Sequence, residues 1–254
     1  MKLQKLLSKL RQCVQDYRLI SPGDRIAVGL SGGKDSLTLL TLLKKYQRFS
    51  PAPFGLCAVT VDLGFSSADP AQLEALKQYC DRLEVEFHIV PSQIGEVVFD
   101  IRQESNPCSL CAKMRRGALN EKAVELGCNK VALGHHRDDL IETFLLSMIY
   151  EGRLSTFSPK TRLSRTGITQ IRPMLYLEEH EIRAFSRDFP VLTNCCPANH
   201  ETRREYMKRL LNGLNAEIPI AKDRIFGALT SPDRYQLFDR FQRECLSDAP
   251  SEEP

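Results

Sequence analysis

Four short stretches of this chain carry residue types that do chemistry at spacings chemistry needs. The first is Ser31-Gly32-Gly33-Lys34-Asp35-Ser36, which follows the apolar run Ile26 to Leu30 and precedes a helical pattern with Leu39, Leu42, Leu43 and Tyr46 on one face. Strand, glycine turn and helix N-terminus together make an anion site. Glycines let backbone N–H groups approach a phosphate, while Lys34 and the helix dipole supply positive charge. Ser31 and Ser36 add hydroxyl donors. The second is Cys108-Ser109-Leu110-Cys111, two thiols spaced to ligate one metal ion or two irons of one cluster. The third is the vicinal pair Cys195-Cys196, and the fourth is Gly134-His135-His136-Arg137-Asp138-Asp139. Asp138 and Asp139 have the oxygen donors for Mg2+, and they equally suit the cap of a helix.

Adjacent cysteines chelate one tetrahedral ion poorly, so one of the pair is expected to join Cys108 and Cys111. Three protein ligands leave an open coordination position, which marks a reactive centre. A structural zinc site, a redox pair or core cysteines remain as alternatives. Of the other cysteines, Cys13, Cys57 and Cys80 fall on apolar faces and read as small core hydrophobes.

The first stretch is not a Walker A loop. That motif needs glycine where this chain has Val28, and Ser or Thr where it has Asp35. S-G-G-K-D-S resembles instead the PP-loop of ATP pyrophosphatases, which bind ATP and cleave between its α- and β-phosphates.

Composition sets the frame. The chain has 254 residues, 42% of them apolar, enough for one large domain with a buried core. A net charge of +3 permits a nucleic-acid partner without demanding one. The N-terminus lacks the apolar core of a signal peptide and reads as an amphipathic helix, and no apolar run reaches membrane-span length. Nine cysteines without a secretion signal favour metal or sulfur chemistry over a disulfide framework.

The elements that must position these residues alternate. Strands are expected near 26–30, 54–61, 85–90, 130–133 and 189–192. Helices are expected at 2–17, after Asp35, after Pro70, at 112–126, after Asp139, at 178–186 and around 203–214. This pattern predicts an α/β fold, a doubly wound parallel five-stranded sheet with helices on both faces. If the first strand lies beside the fourth, S-G-G-K-D-S and G-H-H-R-D-D meet at the topological switch point, where ligands bind. The expected organisation is an N-terminal helix (1–20), a catalytic domain (21–214), and a helical segment with an acidic disordered tail (215–254). Lys113, Arg115, Arg116, Lys160, Arg162, Arg165, Arg203 and Arg204 are cations enough for a nucleic-acid patch if they share a face.

S-G-G-K-D-S-L-T-L-L, P-C-S-L-C-A-K-M-R-R-G, G-H-H-R-D-D and I-R-P-M-L, in that order, resemble the TtcA family of tRNA 2-thiocytidine synthetases. The resemblance spans about residues 1–214 and implies the PP-loop ATP pyrophosphatase fold, which is adenine nucleotide alpha hydrolase-like. It implies a cytoplasmic tRNA sulfurtransferase that adenylates the C2 oxygen of an anticodon-loop cytidine and replaces it with sulfur. The implied cofactors are ATP, Mg2+ and a [4Fe–4S] cluster on Cys108, Cys111 and one of Cys195 and Cys196, with Cys196 preferred. Implied cofactor-binding residues are Ser31, Gly32, Gly33, Lys34, Asp35, Ser36, Gly134 and Asp138, and implied catalytic residues are Asp35, Arg115 and Asp139. Adenine is expected near residues 59–62. The implied partners are tRNA and a sulfur donor such as a cysteine desulfurase or sulfide, with no membrane and with a homodimer allowed. The best-known members have a second C-x-x-C where this chain has Cys195-Cys196. Two other readings stand beside this one: a different PP-loop adenylating enzyme, and a non-catalytic nucleotide-binding module with structural zinc.

Overall fold

The computed structural model describes residues 3–65, 70–102, 107–192 and 203–231. The acidic tail and the segment holding Cys195, Cys196 and Pro197 lie outside the described residues. In chain order the elements are α1 (Leu3–Asp16), β1 (Arg25–Gly29), α2 (Lys34–Gln47), β2 (Gly55–Asp62), α3 (Pro70–Arg82), β3 (Glu86–Pro91) and α4 (Ile94–Glu96). A π-helical turn, Val97–Arg102, precedes α5 (Pro107–Glu125), β4 (Lys130–Ala132), α6 (Arg137–Glu151), β5 (Lys160–Arg162), β6 (Thr169–Ile171), α7 (Glu179–Phe185), α8 (Arg203–Glu217) and α9 (Ala221–Thr230). The chain divides into two compact units, Met1–Arg209 and Leu210–Pro254.

The sheet of the first unit has the order β3-β2-β1-β4-β6-β5. All pairs are parallel except β5 with β6. The α/β class and the adjacency of β1 and β4 follow the sequence-based expectation, but the strand count does not. Among the described residues the sheet has six strands, and the fifth and sixth are the short hairpin of β5 and β6. The apolar run Phe189 to Leu192 is not a strand. It is apolar because it packs onto the core, with the Phe189 ring 5.4 Å from both Tyr79 and Phe185. A short apolar run has no period that separates those two fates.

Alternation along the buried strands distributes side chains to two apolar layers. Ile26 and Val28 of β1 face a cluster with Leu6, Leu10, Leu39, Leu43 and Ile182, whereas Ala27 faces Leu119, Ala123 and Val131. Helices α1, α2 and α7 thus cover one face and α5 the other. Helix α1 is part of the core, with Leu6, Leu10, Cys13 and Val14 buried. Cys57 and Cys80 are buried as well, and the Cys57 sulfur lies 3.6 Å from that of Cys128.

Helix α5 begins five residues before the expected 112. Pro107 stands at its first position, where a missing N–H costs nothing. Cys108 and Cys111 therefore sit on the first turn of a helix, at i and i+3 on one face.

Candidate nucleotide and sulfur-transfer site

The loop between β1 and α2 is built by its own serines. Ser36 Oγ donates to the Gly33 carbonyl at 2.9 Å and lies 3.2 Å from both the backbone nitrogen and the hydroxyl of Ser31. Gly33 is the N-cap of α2 and no side chain caps it, so the first N–H groups of the helix, which have no intrahelical acceptors, remain for an anion. Gly32 has φ +76° and lies against Leu192, whose side chain would overlap a Cβ placed there.

Lys34 turns to carboxylates. Its Nζ lies 3.0 Å from Asp35 and 3.4 Å from Glu179. Glu179 also binds Lys208 at 2.8 Å and Arg183 at 3.1 Å. Burial alone would raise the Glu179 pKa, but Lys208, Lys34 and Arg183 outweigh it and hold the carboxyl at about 2. The local sequence around Glu179 shows only Arg183, one helix turn on; Lys34 and Lys208 come from distant segments.

The second loop, after β4, is pressed against the first. A Cβ on Gly134 would meet the Asp35 carbonyl carbon and the Ser36 nitrogen at 3.1 Å, so glycine is the residue that allows this approach. His136 is the N-cap of α6. Its backbone N–H donates to Asp139 Oδ2 at 3.0 Å, and the Asp139 N–H donates back to Nδ1 at 3.4 Å, closing a capping box. His136 Nε2 also lies 3.7 Å from Asp35 Oδ1, linking the two loops. Asp138 is buried and accepts the Glu179 N–H at 2.8 Å, fixing the start of α7. Glu142, a turn further along α6, is buried, and burial raises its pKa to about 7 with Asp139 adding to the effect; Arg204 opposes both from 3.3 Å.

A cavity of about 490 Å³ lies at the carboxyl ends of the central strands. Such a volume suits a small-molecule site. Ser31, Asp35 and Ser36 from the first loop, and Gly134, His135 and Asp139 from the second, form part of its wall. Val59 and Val61 of β2 form another part, where adenine was expected. Ala112, Arg115, Arg116 and Leu119 of α5 close it. Gly32, Gly33, Lys34 and Asp138 are not among the wall residues. Arg172, just after β6, is a wall residue to which the sequence pattern gave no role.

Several cations of the expected basic patch have partners within the protein. Lys160 Nζ donates to the Arg18 carbonyl, Arg165 pairs with Glu121, Arg203 stacks on Tyr150, and Arg204 bonds Glu142 and Thr143. Arg115 and Arg116 are the patch members that reach the cavity.

The fit of a cluster can be judged on two of its three expected ligands. Cys108 is exposed, Cys111 is buried, and neither is in a disulfide. Two soft thiols on one helix turn match the donor chemistry of iron–sulfur sites. Among the described residues no three His, Cys, Asp or Glu side chains converge into a metal cage. For Mg2+, Asp35 and Asp139 are the carboxylates of the cavity wall, and hard oxygen donors suit that ion.

A strand, a glycine-rich anion loop at the helix N-terminus and a second loop at the switch point define a PP-loop nucleotide-binding protein, and a PP-loop domain model matches residues 2–204. The tRNA-cytidine(32) 2-sulfurtransferase of Anaeromyxobacter sp. (strain K) is 38% identical over 255 residues, covering 99% of this chain and 87% of that protein. The protein of the same name from Syntrophotalea carbinolica is 41% identical over 245 residues, covering 94% and 92%. The chain belongs to the tRNA-cytidine(32) 2-sulfurtransferase family. In fold it is similar to the U34-tRNA thiolase NcsA from Methanococcus maripaludis, solved with its [4Fe–4S] cluster, at a TM-score of 0.75 and 24% identity, covering 93% of this chain and 80% of that one. Among the described residues no helix is long and apolar enough to cross a membrane.

Proposed function

We propose that this protein thiolates an anticodon-loop cytidine of tRNA at C2, using ATP to activate the oxygen it replaces. The observation that carries this reading is the position of α5. One helix holds Cys108 and Cys111 on its first turn and, with Ala112, Arg115 and Arg116, forms a wall of the cavity that also contains Ser31, Asp35 and Ser36. Helix α5 thus carries the two thiols one turn before its cavity-wall residues, although neither cysteine is itself in the wall and Cys111 packs with Ile94 and Val98. The relatives' names support tRNA as substrate and sulfur transfer as the reaction.

In the proposed sequence the cytidine O2 attacks the α-phosphorus of ATP, the bond to the bridging oxygen of the β-phosphate breaks, and pyrophosphate leaves. Hydrosulfide then adds to C2 and loses its proton, the C2–O bond breaks, and AMP departs with the oxygen. The N–H groups at the start of α2 and the hydroxyls of Ser31 and Ser36 hold the leaving phosphates. Gly134 permits the second loop to close on them. Arg115 neutralises charge at the α-phosphate. Asp35 and Asp139 would hold Mg2+, which would offset phosphate charge, and Asp138 serves the site indirectly by fixing α7, on which Glu179 orients Lys34. Cys108, Cys111 and Cys196 would hold a [4Fe–4S] cluster, which would supply iron to bind sulfide; the sulfide would come from solution, or from a cysteine desulfurase whose persulfide is reduced by two electrons from an external thiol.

The test is turnover by protein purified without oxygen, supplied with ATP, sulfide and tRNA. Digested tRNA is expected to contain 2-thiocytidine, and the protein is expected to be brown with a broad visible band. A colourless protein with stoichiometric zinc and no thiolated nucleoside overturns the reading and favours the structural-zinc alternative.

A further inference from the structure

Arg172 is 6% exposed, yet it has no carboxylate partner among the described residues. Its Nη1 donates to the Ser158 carbonyl at 2.6 Å and reaches Thr161 Oγ1 at 3.4 Å, and its guanidinium carbon lies 5.0 Å from the Phe157 ring centroid. Its Nε is buried with no hydrogen-bond partner. His135 shares the same aromatic support, with its ring 4.8 Å from Phe157, and its Nδ1 is likewise buried with no partner. Both residues line the cavity described above, as does Arg116. Burial lowers the Arg172 pKa to about 10, with Arg116 adding to the effect, so another cation stands close by where a carboxylate is usual. Burial likewise holds His135 at about 4, neutral at working pH and able to donate from one nitrogen.

A buried charge is normally paired, because the desolvation it suffers must be offset. A structural arginine would spend its whole fork on the loop it fastens. Arg172 spends Nη1 on residues 158 and 161 and leaves Nε over, with the unpartnered ring nitrogen of His135 on the same aromatic support, in the wall of a cavity. Ile171 pairs with Ala132 of β4, and β4 pairs with β1. Arg172 therefore follows a strand end two places from the one that carries the phosphate loop, with a strand spacing of about 4.8 Å each.

We propose that Arg172, His135 and Arg116 form a second oxyanion subsite in this cavity, separate from the loop Ser31–Ser36, and that it takes a phosphoryl group. Arg172 gives the group charge and directed N–H donors, His135 gives a neutral donor, and Phe157 holds both in place. Two sources share this chemistry: a phosphate of the nucleotide and a backbone phosphate of the RNA. The RNA source rests on the function proposed above, and the existence of the subsite does not.

The experiment compares wild type, Arg172→Met and Arg172→Lys as full-length protein prepared without oxygen. It measures the thermal midpoint with and without inorganic pyrophosphate, the affinity for a non-hydrolysable ATP analogue, and the affinity for a tRNA anticodon stem-loop at several salt concentrations. Pyrophosphate is expected to raise the wild-type midpoint more than that of Arg172→Met. At least one affinity is expected to fall about tenfold or more in Arg172→Met and less in Arg172→Lys, which keeps the charge. A weaker analogue with an unchanged RNA salt slope assigns the subsite to the nucleotide. A slope reduced by about one unit assigns it to an RNA phosphate. If Arg172→Met does not fold, Arg172→Gln takes its place and is read by the same outcomes. Wild-type affinities in a folded Arg172→Met overturn the subsite, because Arg172 would then only fasten the loop. No step needs turnover, so a protein that fails to thiolate tRNA leaves this result readable.

Discussion

Leu192 donates its backbone N–H to the Gly32 carbonyl at 3.0 Å, and its side chain fills the space in which a Cβ on Gly32 would fall. The phosphate loop is thus tied to the chain that leads on to Cys195 and Cys196. Gly32→Ala meets two obstacles at once, a positive φ of +76° and the Leu192 side chain. Strain of this kind costs on the order of 1–3 kcal/mol. Gly32→Ala is expected to lose affinity for an ATP analogue by tenfold or more. Trimming Leu192 as well, as Leu192→Ala, is expected to restore part of it, since that removes the clash and leaves the dihedral. Calorimetric titration of both variants checks this, and an unaffected Gly32→Ala would mean that the loop does not grip the phosphates.

Asp35 and Ser36 are neighbours with different work. Ser36 Oγ makes the hydrogen bonds that shape the loop, whereas the Asp35 carboxylate meets the side chains of Lys34 and His136. Both Asp35→Ala and Ser36→Ala are expected to abolish turnover. Only Ser36→Ala is expected to lower stability as well, by about 1–2 kcal/mol for the buried hydrogen bonds it removes. Urea denaturation of the two variants beside a thiolation assay separates the roles. Normal turnover in both would end the assignment of this loop to ATP.

The phosphate loop, the C-x-x-C and the G-H-H-R-D-D loop were legible because each is local: its residues lie together in sequence and its flanks have clear periods. The fold class followed from the same alternation. The hairpin of β5 and β6 was not legible, since three-residue strands are too short to show a period of two. Arg172 and Glu179 escaped for a different reason. What marks Arg172 is the missing partner at Nε, and what marks Glu179 is the convergence of Lys34 and Lys208 from distant segments on a carboxylate that Arg183 of its own helix also reaches. Neither property exists before the chain is folded. The early start of α5 did have a signal, Pro107 at its first position.

Glu142 and Glu179 are expected to shape stability against pH in opposite senses. The Glu142 pKa is raised to about 7, chiefly by burial. Its contribution is complete below the unfolded value of about 4.5 and is lost as pH rises through 7. Glu142→Gln should therefore gain on wild type over that window, by on the order of 2–3 kcal/mol. Glu179 is held at about 2 by Lys208, Lys34 and Arg183 against the effect of burial. Its contribution is present above about 4.5 and is lost as pH falls towards 2, so Glu179→Gln should cost a similar amount at pH 7 and little at pH 2. Chemical denaturation midpoints between pH 2 and pH 8 test both signs; a gap from wild type that stays constant with pH contradicts them.

Arg115 and Arg116 are the expected RNA-binding cations that reach the cavity. Replacing both with alanine should weaken tRNA binding and flatten its salt dependence by about one unit for each phosphate that is no longer neutralised. A salt slope equal to that of wild type would place the RNA elsewhere. Should Arg115 bind nucleotide instead, the affinity for an ATP analogue falls while that for RNA holds.

The two adjacent cysteines are expected to have unequal roles. Cys108 and Cys111 present one face of the first turn of α5, so a third thiolate has to be delivered to that turn from the segment after Leu192. Neighbouring side chains on extended backbone point to opposite sides, so only one of Cys195 and Cys196 can be delivered easily. Cys196 precedes Pro197, whose ring biases the residue before it towards an extended conformation. Cys196→Ser, like Cys108→Ser and Cys111→Ser, should lose the cluster, whereas Cys195→Ser should keep most of its iron and most of its activity. Iron per chain and the visible spectrum of the four single mutants, prepared without oxygen, decide the matter. If Cys195→Ser is the variant that loses iron, Cys195 is the third ligand. If neither Cys195→Ser nor Cys196→Ser loses iron, the three-cysteine site itself is wrong.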